Sequence, residues 1–137
     1  MRVDRSGFLV IPTEHQEQAS LFAEAMLRSH LDPRWGLLLA IPNGGMRSKA
    51  TAGKLKAEGV RAGVPDLFLP IAVGGHHGLW VEMKTRTGGR LSPDQVSWIA
   101  HLRLQGYRVE VCPGVDHGIR AIRDYLAGSL ARDGAGK

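Results

Sequence analysis

The 137-residue sequence contains a single cysteine and no long apolar run. Cys112 cannot form an intrachain disulfide, and its apolar neighbours favour core packing over a catalytic thiol. No stretch approaches the length of a membrane span, and the first residues do not resemble a signal peptide. These absences exclude a disulfide-stabilised domain and a membrane span, and they predict a cytoplasmic protein.

The composition is that of one globular domain with a basic balance. Hydrophobic residues make up 43% of the chain, and the formal net charge is +5. The positive charge is concentrated between Arg47 and Arg61, where Glu58 is the only acidic residue. Such a run is usually a solvated helix face, but it also fits an anionic partner such as nucleic acid.

Periodicity predicts eight elements in the order helix, strand, helix, two strands, helix, strand, helix. Thr13 and Gln16 have capping-box spacing at the first helix, and Ser92-Pro93-Asp94-Gln95 begins the third. This order is typical of an α/β domain with a small mixed sheet and flanking helices. We assign residues 1–12 to an extension, 13–127 to the domain and 128–137 to a flexible tail. The elements are predicted at 13–29, 37–41, 47–58, 66–69, 79–84, 93–105, 108–112 and 116–126. The apolar stripe of the first helix is expected to consist of Leu21, Phe22, Ala25 and Met26, and 37–41 is expected to be a buried strand.

Two short segments carry the chemistry, namely Pro65-Asp66 and Glu82-Met83-Lys84. Side chains alternate along a strand, so Glu82 and Lys84 share one face while Met83 points into the core. A hairpin would place Asp66 beside Glu82, and two close carboxylates need a cation or a proton between them. Mg²⁺ is the natural cation, because it prefers oxygen ligands and accepts carboxylates together with water and phosphate.

Each half of this pattern also has an ordinary interpretation. Glu82 and Lys84 could form an exposed ion pair, and an aspartate after proline is a turn signal. Because the two segments lie on adjacent predicted strands, a nuclease is a reasonable hypothesis. The interpretation as an ion pair and a turn residue stays open. In a nuclease, Lys84 would stabilise charge on the transition state or help to hold the attacking water.

The two segments resemble the motif of the PD-(D/E)XK nuclease superfamily. Longer strings resemble its VRR-NUC family, and the resemblance extends from about Glu14 to Leu126. It implies a restriction-endonuclease-like core and a Mg²⁺-dependent endonuclease, with Mn²⁺ as a substitute and no organic cofactor. The similar stand-alone, phage-type members are homodimers that cut structured DNA such as Holliday junctions, in bacteria or phage-infected hosts. The matching strings are Ile41 to Gly45, Gly59 to Leu67, Glu82 to Lys84, Gly89 to Ser92, Gln95, Trp98 and Val109 to Cys112.

The resemblance also implies roles for individual residues. Asp66, Glu82 and the main-chain carbonyl of Met83 would hold the metal, and Lys84 would be the catalytic lysine. The family uses an acid on the first helix, for which Glu14 is preferred and Glu17, one turn on, is the alternative. Glu14 could instead only complement the helix dipole.

Other residues have two interpretations each. Gln95 either faces the site, as the superfamily implies, or serves only as the third residue of a capping box. Trp98 is expected to anchor its helix in the core, and neighbouring His76 and His77 are expected to face solvent. The candidate nucleic-acid contacts are Asn43, Arg47, Lys49, Lys54, Lys56, Arg61 and Arg90.

The leading hypothesis is therefore a metal-dependent endonuclease that cuts branched DNA. A nucleic-acid-binding module that kept the fold without cleavage is the main alternative, and a flap or nicking nuclease is another. Symmetric cutting of a junction needs two active sites, so junction resolution would require a homodimer.

Overall fold

The computed structural model describes residues 2–42 and 49–128. Its helices and strands follow the predicted order, with a short 3₁₀ turn at Pro33–Leu37 before the first strand. The elements are α1 (Glu14–Arg28), β1 (Leu39–Ala40), α2 (Lys49–Ala57), β2 (Leu67–Leu69), β3 (Leu79–Lys84), α3 (Pro93–Leu104), β4 (Arg108–Pro113) and α4 (Val115–Leu126).

The four strands form one mixed sheet in the order β1-β2-β3-β4. The pairs β1–β2 and β2–β3 are antiparallel, whereas β3 and β4 are parallel. A parallel pair needs a long crossover, and α3 supplies it. The sheet therefore confirms the predicted α/β class and the predicted hairpin between β2 and β3.

The main core lies between the sheet and the helices α1 and α4. Leu79, Val81 and Met83 alternate along β3, and all three are fully buried in this core. Leu21 from α1 and Ile122 from α4 meet them there. Each side chain so buried stabilises the fold by roughly 1.5–3 kcal/mol relative to exposure.

The opposite face of the sheet is covered by α3. Trp80 of β3 packs in a second apolar cluster with Ile99, Leu102 and Val109. Because side chains alternate along β3, Glu82 and Lys84 share this second face with Trp80. The polar residues of β3 therefore lie under α3, next to a small apolar core.

Three predictions about individual residues were wrong. The segment 37–41 was expected to be a buried strand; Leu38 is buried, but the strand itself is only Leu39–Ala40, at the sheet edge, and both of these residues are exposed. Met26 was placed on the buried stripe of α1, yet it is 62% exposed because α1 buries Leu21 and Ala25 instead. His76 is buried beside the ring of Tyr125 rather than facing solvent.

Candidate active site

The antiparallel register of β2 and β3 brings the two candidate carboxylates together. Leu67 pairs with Val81, so the same register continued by one residue sets Asp66 opposite Glu82. The pairing of β2 with β3 stops there, and the side chain of Asp66 accepts a hydrogen bond from a main-chain N–H of β3 instead. Its Oδ2 accepts a hydrogen bond of 2.8 Å from the backbone N–H of Met83. Asp66 is thus fixed at the end of the hairpin ladder.

Glu82 is a buried acid with a strongly raised pKa. Only 1% of the residue is exposed, and burial, followed by the hydrogen bond and negative charge of Asp66, raises its pKa to about 9. Lys84 opposes this rise and Glu14 adds to it. With no cation between them, two adjacent carboxyl groups avoid repulsion by keeping a proton on one of them.

Gln95 bridges the acid and the lysine of β3. Its Nε2 donates a hydrogen bond of 2.8 Å to Glu82 Oε1, and its Oε1 lies 3.3 Å from the Nζ of Lys84. The same Oε1 accepts a bond of 2.8 Å from the backbone N–H of Ser92, which completes a capping box for α3. Gln95 therefore does both things that the sequence offered as alternatives.

The capping box also fixes the orientation of the Gln95 amide. Oxygen and nitrogen of a side-chain amide are distinguished by their hydrogen-bond partners. The backbone N–H of Ser92 and the ammonium of Lys84 are both donors, so the amide oxygen must face them. Its N–H group is then left to face Glu82 Oε1.

Lys84 occupies an enclosed position, with 7% of the residue exposed. A lysine is rarely buried unless its charge is paired. Here its charge lies close enough to Glu82 to oppose the rise of that carboxyl's pKa. The ammonium is therefore held inside the site near the Glu82 carboxyl group, where it can stabilise a developing negative charge.

The two candidate acids of α1 have different surroundings. Glu17 is buried, and its carboxylate accepts hydrogen bonds from the Nε, Nη2 and backbone N–H of Arg86 and from the backbone N–H of Val115. The hydrogen bond from Arg86 is the main cause that lowers the pKa of Glu17. Glu14 is exposed, and its charge reaches Glu82.

The Glu17–Arg86 pair had not been foreseen. The two residues are 69 positions apart, and no local pattern marks Arg86 as a partner for a helix acid. The pair joins α1 to the segment after β3, and Glu17 also contacts the first turn of α4 through Val115. Glu17 thus joins three segments of the fold, whereas Glu14 is the acid of α1 whose charge raises the pKa of Glu82.

The chemistry of the donor set fits a hard divalent cation. Asp66 and Glu82 offer carboxylate oxygens side by side, and burial together with the neighbouring Asp66 carboxyl raises the pKa of Glu82. Over residues 2–42 and 49–128, no group of three or more His, Cys, Asp or Glu side chains could hold a metal ion. Glu14 is therefore not gathered into a cluster with the other two acids, and Mg²⁺ on two carboxylates would complete its shell with water or phosphate.

The candidate nucleic-acid contacts are distributed outside this pocket. None of the residues of α2 is buried, and Lys49, Lys54 and Lys56 are all exposed on it. Arg61 and Arg90 are also exposed, in the segments before β2 and after β3. Asn43 and Arg47 lie outside the described residues.

Two further observations concern helix length and the packing of Trp98. No helix in the described ranges is long and apolar enough to cross a membrane. Trp98, expected in the core, is half-buried against the second apolar cluster rather than fully enclosed.

Comparison with known proteins gives a consistent result. The VRR-NUC domain family matches residues 11–116, and no curated protein matches the chain. A solved structure described as a VRR_NUC domain protein is 29% identical, with a TM-score of 0.74. The similarity covers 93% of this chain and 98% of that one. The family match spans most of the chain and includes every residue of the pocket, so the protein belongs to the VRR-NUC family of PD-(D/E)XK-like nucleases.

Proposed function

We propose that this nuclease is a Mg²⁺-dependent endonuclease that hydrolyses phosphodiester bonds in branched DNA such as Holliday junctions. The observation that carries the proposal is that Asp66 and Lys84 both act on the buried carboxyl group of Glu82 in a VRR-NUC chain. A binding module without cleavage would not need two adjoining carboxyl groups, one of them carrying a burial cost.

Each residue of the pocket has a distinct task in this proposal. Asp66, Glu82 and the carbonyl of Met83 would hold the ion, and Mn²⁺ would substitute for Mg²⁺. Bound Mg²⁺ would polarise the phosphodiester and stabilise the charge that develops on it. Lys84 stabilises the same charge or holds the attacking water. Water adds to phosphorus and gives up a proton, the bond to the leaving oxygen breaks, and that oxygen is protonated.

Glu14 supplies the helix acid of the site. Its exposed carboxylate contributes negative charge towards Glu82, and it would act on a bound ion through an intervening water. Glu17 is a poorer choice, because donors from Arg86 and Val115 already occupy both of its carboxylate oxygens. Gln95 orients Glu82 and Lys84 from the α3 side.

The proposed substrate class rests on the basic surface residues and on the two-fold symmetry of junction cleavage. The exposed lysines of α2, together with Arg61 and Arg90, would contact phosphates without reading sequence. Asn43 and Arg47 are also proposed as contacts, from the sequence alone. Symmetric cleavage of a four-way junction needs two sites, so a homodimer is part of the proposal. A protein that is monomeric on DNA would favour flap cleavage or nicking instead.

The test is a cleavage panel on labelled DNA. Four-way junctions, flaps, duplex and single strands are incubated with Mg²⁺, with Mn²⁺ and with EDTA. We expect cleavage of branched DNA with either metal and none with EDTA. Asp66→Asn and Glu82→Gln should each reduce the rate by about 100-fold or more, because each removes a charged ligand.

Glu14→Gln is compared with Glu24→Gln as a matched control. Glu24 lies on the same helix in an exposed ion pair with Arg28, so its variant should cleave normally, whereas Glu14→Gln should be slower by about 10-fold or more. DNA binding without cleavage under either metal would support the binding-module alternative. Cleavage that survives both Asp66→Asn and Glu82→Gln would show that the activity comes from elsewhere.

A further inference from the structure

A glycine outside the catalytic motif holds the first turn of α3 against the segment that leads into Asp66. Gly63 has φ +87°, a backbone conformation that side-chain-bearing residues rarely adopt. A Cβ atom added there would lie 2.6 Å from the carbonyl carbon and 2.6 Å from the Cβ of Asp94, and 2.8 Å from its carbonyl oxygen. The two backbones are therefore too close for any residue but glycine.

This contact joins the two halves of the pocket. Asp94 immediately precedes Gln95, which bonds to Glu82 at 2.8 Å and approaches Lys84 at 3.3 Å. On the other side of the contact, Gly63 lies three residues before Asp66, and Pro65 between them is fully buried. The position of Gly63 thus sets the spacing between Asp66 on one side and Gln95 on the other.

We propose that Gly63 is a positioning residue that keeps Gln95 within hydrogen-bond reach of Glu82 by letting α3 approach the segment before β2. The proposal rests on the nuclease function proposed above. Relieving a contact of 2.6 Å to an ordinary separation of at least 3.4 Å requires the backbones to part by roughly 0.8 Å. The Gln95–Glu82 bond of 2.8 Å, lengthened by that amount, is no longer a hydrogen bond.

The central variant is Gly63→Ala, and the sequence supplies a matched control. Gly59 has φ +100° but nothing within 4 Å of an added Cβ. Gly59→Ala therefore carries the same kind of backbone strain without the contact on α3. We expect Gly63→Ala to lower the single-turnover cleavage rate of a labelled four-way junction with Mg²⁺ by about 10- to 100-fold. Gly59→Ala should change it less than about 2-fold.

A double-mutant cycle distinguishes positioning from a general loss of structure. If Gly63 acts through Gln95, then Gly63→Ala combined with Gln95→Ala should be no more than about 3-fold slower than Gln95→Ala alone. Losses that multiply would show that Gly63 acts independently of Gln95 and would overturn the proposal. A normal rate for folded Gly63→Ala would overturn it as well.

A second readout does not depend on cleavage. In ¹⁵N-labelled protein, the side-chain N–H₂ resonances of Gln95 are identified by their loss in Gln95→Ala. They should move towards the positions of solvent-exposed glutamines in Gly63→Ala and stay unchanged in Gly59→Ala. Unmoved resonances in Gly63→Ala contradict the proposal even if the wild-type protein cuts no DNA, so its failure is separable from that of the nuclease proposal.

If Gly63→Ala alone does not fold, the comparison is made in Asp94→Gly. That substitution removes the Cβ of Asp94, one of the three atoms that an alanine at position 63 would meet. Gly63→Ala should still slow cleavage and shift the Gln95 resonances relative to Asp94→Gly alone. No change in either quantity would refute the role of Gly63.

Discussion

The double role of Gln95 can be separated by three substitutions. Ser92→Ala removes the Oγ that accepts the backbone N–H of Gln95 at 3.1 Å, but leaves the Gln95 side chain over Glu82. Gln95→Ala removes the cap and the contacts with both Glu82 and Lys84. Gln95→Glu keeps a capping box, since glutamate is favoured at this position, but brings a second carboxyl group against Glu82.

The free energy of unfolding should fall in the variants that lose a hydrogen bond of the capping box. Ser92→Ala should lower the free energy of unfolding by about 1 kcal/mol, the usual cost of losing an N-cap side chain. Gln95→Ala should cost about 2 kcal/mol, because it loses the bond to the backbone of Ser92 and the bond to Glu82, each contributing about 1 kcal/mol. Both values are measured by urea denaturation in EDTA, so that no divalent ion contributes to the folded state.

The cleavage rate should instead depend on the hydrogen bond between Gln95 and Glu82. We expect Gln95→Ala and Gln95→Glu to slow single-turnover cleavage by about 10- to 100-fold, because both remove the donor that orients Glu82. Ser92→Ala should cleave within about 3-fold of wild type, since it leaves that donor in place. If Ser92→Ala were as slow as Gln95→Ala, the loss would come from fraying of α3. If Gln95→Ala cut at the wild-type rate, Gln95 would serve only as a cap.

Two other predictions concern charge. Because Arg86 holds the pKa of Glu17 below its ordinary value of 4.5, the stability that this carboxylate adds is complete above about pH 4.5 and is lost as the pH falls through its folded pKa. Glu17→Gln should therefore have a free energy of unfolding roughly 1–2 kcal/mol lower than wild type at pH 7. In denaturation curves this difference should become smaller below pH 4.5. An equal difference at pH 7 and pH 3 would contradict the prediction. Lys54→Ala combined with Lys56→Ala should reduce the slope of log binding constant against log salt by about 2. The control is Arg123→Ala, which removes an exposed ion pair on α4 and should leave the salt slope unchanged. If the double lysine variant also kept the wild-type slope, the two lysines would not contact phosphates.

Local sequence signals were sufficient for the element order and the caps. Thr13 and Ser92 were recognisable as N-caps because the side chain that completes each capping box lies three residues away. The hairpin that carries Asp66 and Glu82 was predictable because two short apolar runs flank a glycine-rich turn. These features depend on neighbours in the chain, and the sequence contains all of that information.

Features that depend on distant parts of the chain could not be predicted in the same way. Nothing near Glu17 in the sequence reveals that its carboxylate is buried against Arg86, and so the sequence leaves Glu14 and Glu17 as alternatives. The exposure of Met26 has the same origin, because the buried stripe of α1 is set by where α4 and the sheet lie. The Gly63–Asp94 contact likewise joins segments separated by two strands.

The enclosed polar pocket and the second apolar cluster depend on each other through α3. Residues 95, 99 and 102 fall on one face of a helix, so the face that presents Gln95 to Glu82 also presents Ile99 and Leu102 to the sheet. Burial of that apolar pair fixes the helix, and the helix fixes the amide over the carboxyl group. Leaving Glu82 and Lys84 in the interior is costly, and the fold tolerates it because Gln95 gives each of them a hydrogen-bonding partner. The precision of the proposed catalytic groups therefore originates in hydrophobic packing on the same face of the sheet, and a divalent cation would enter a pocket whose walls are already set.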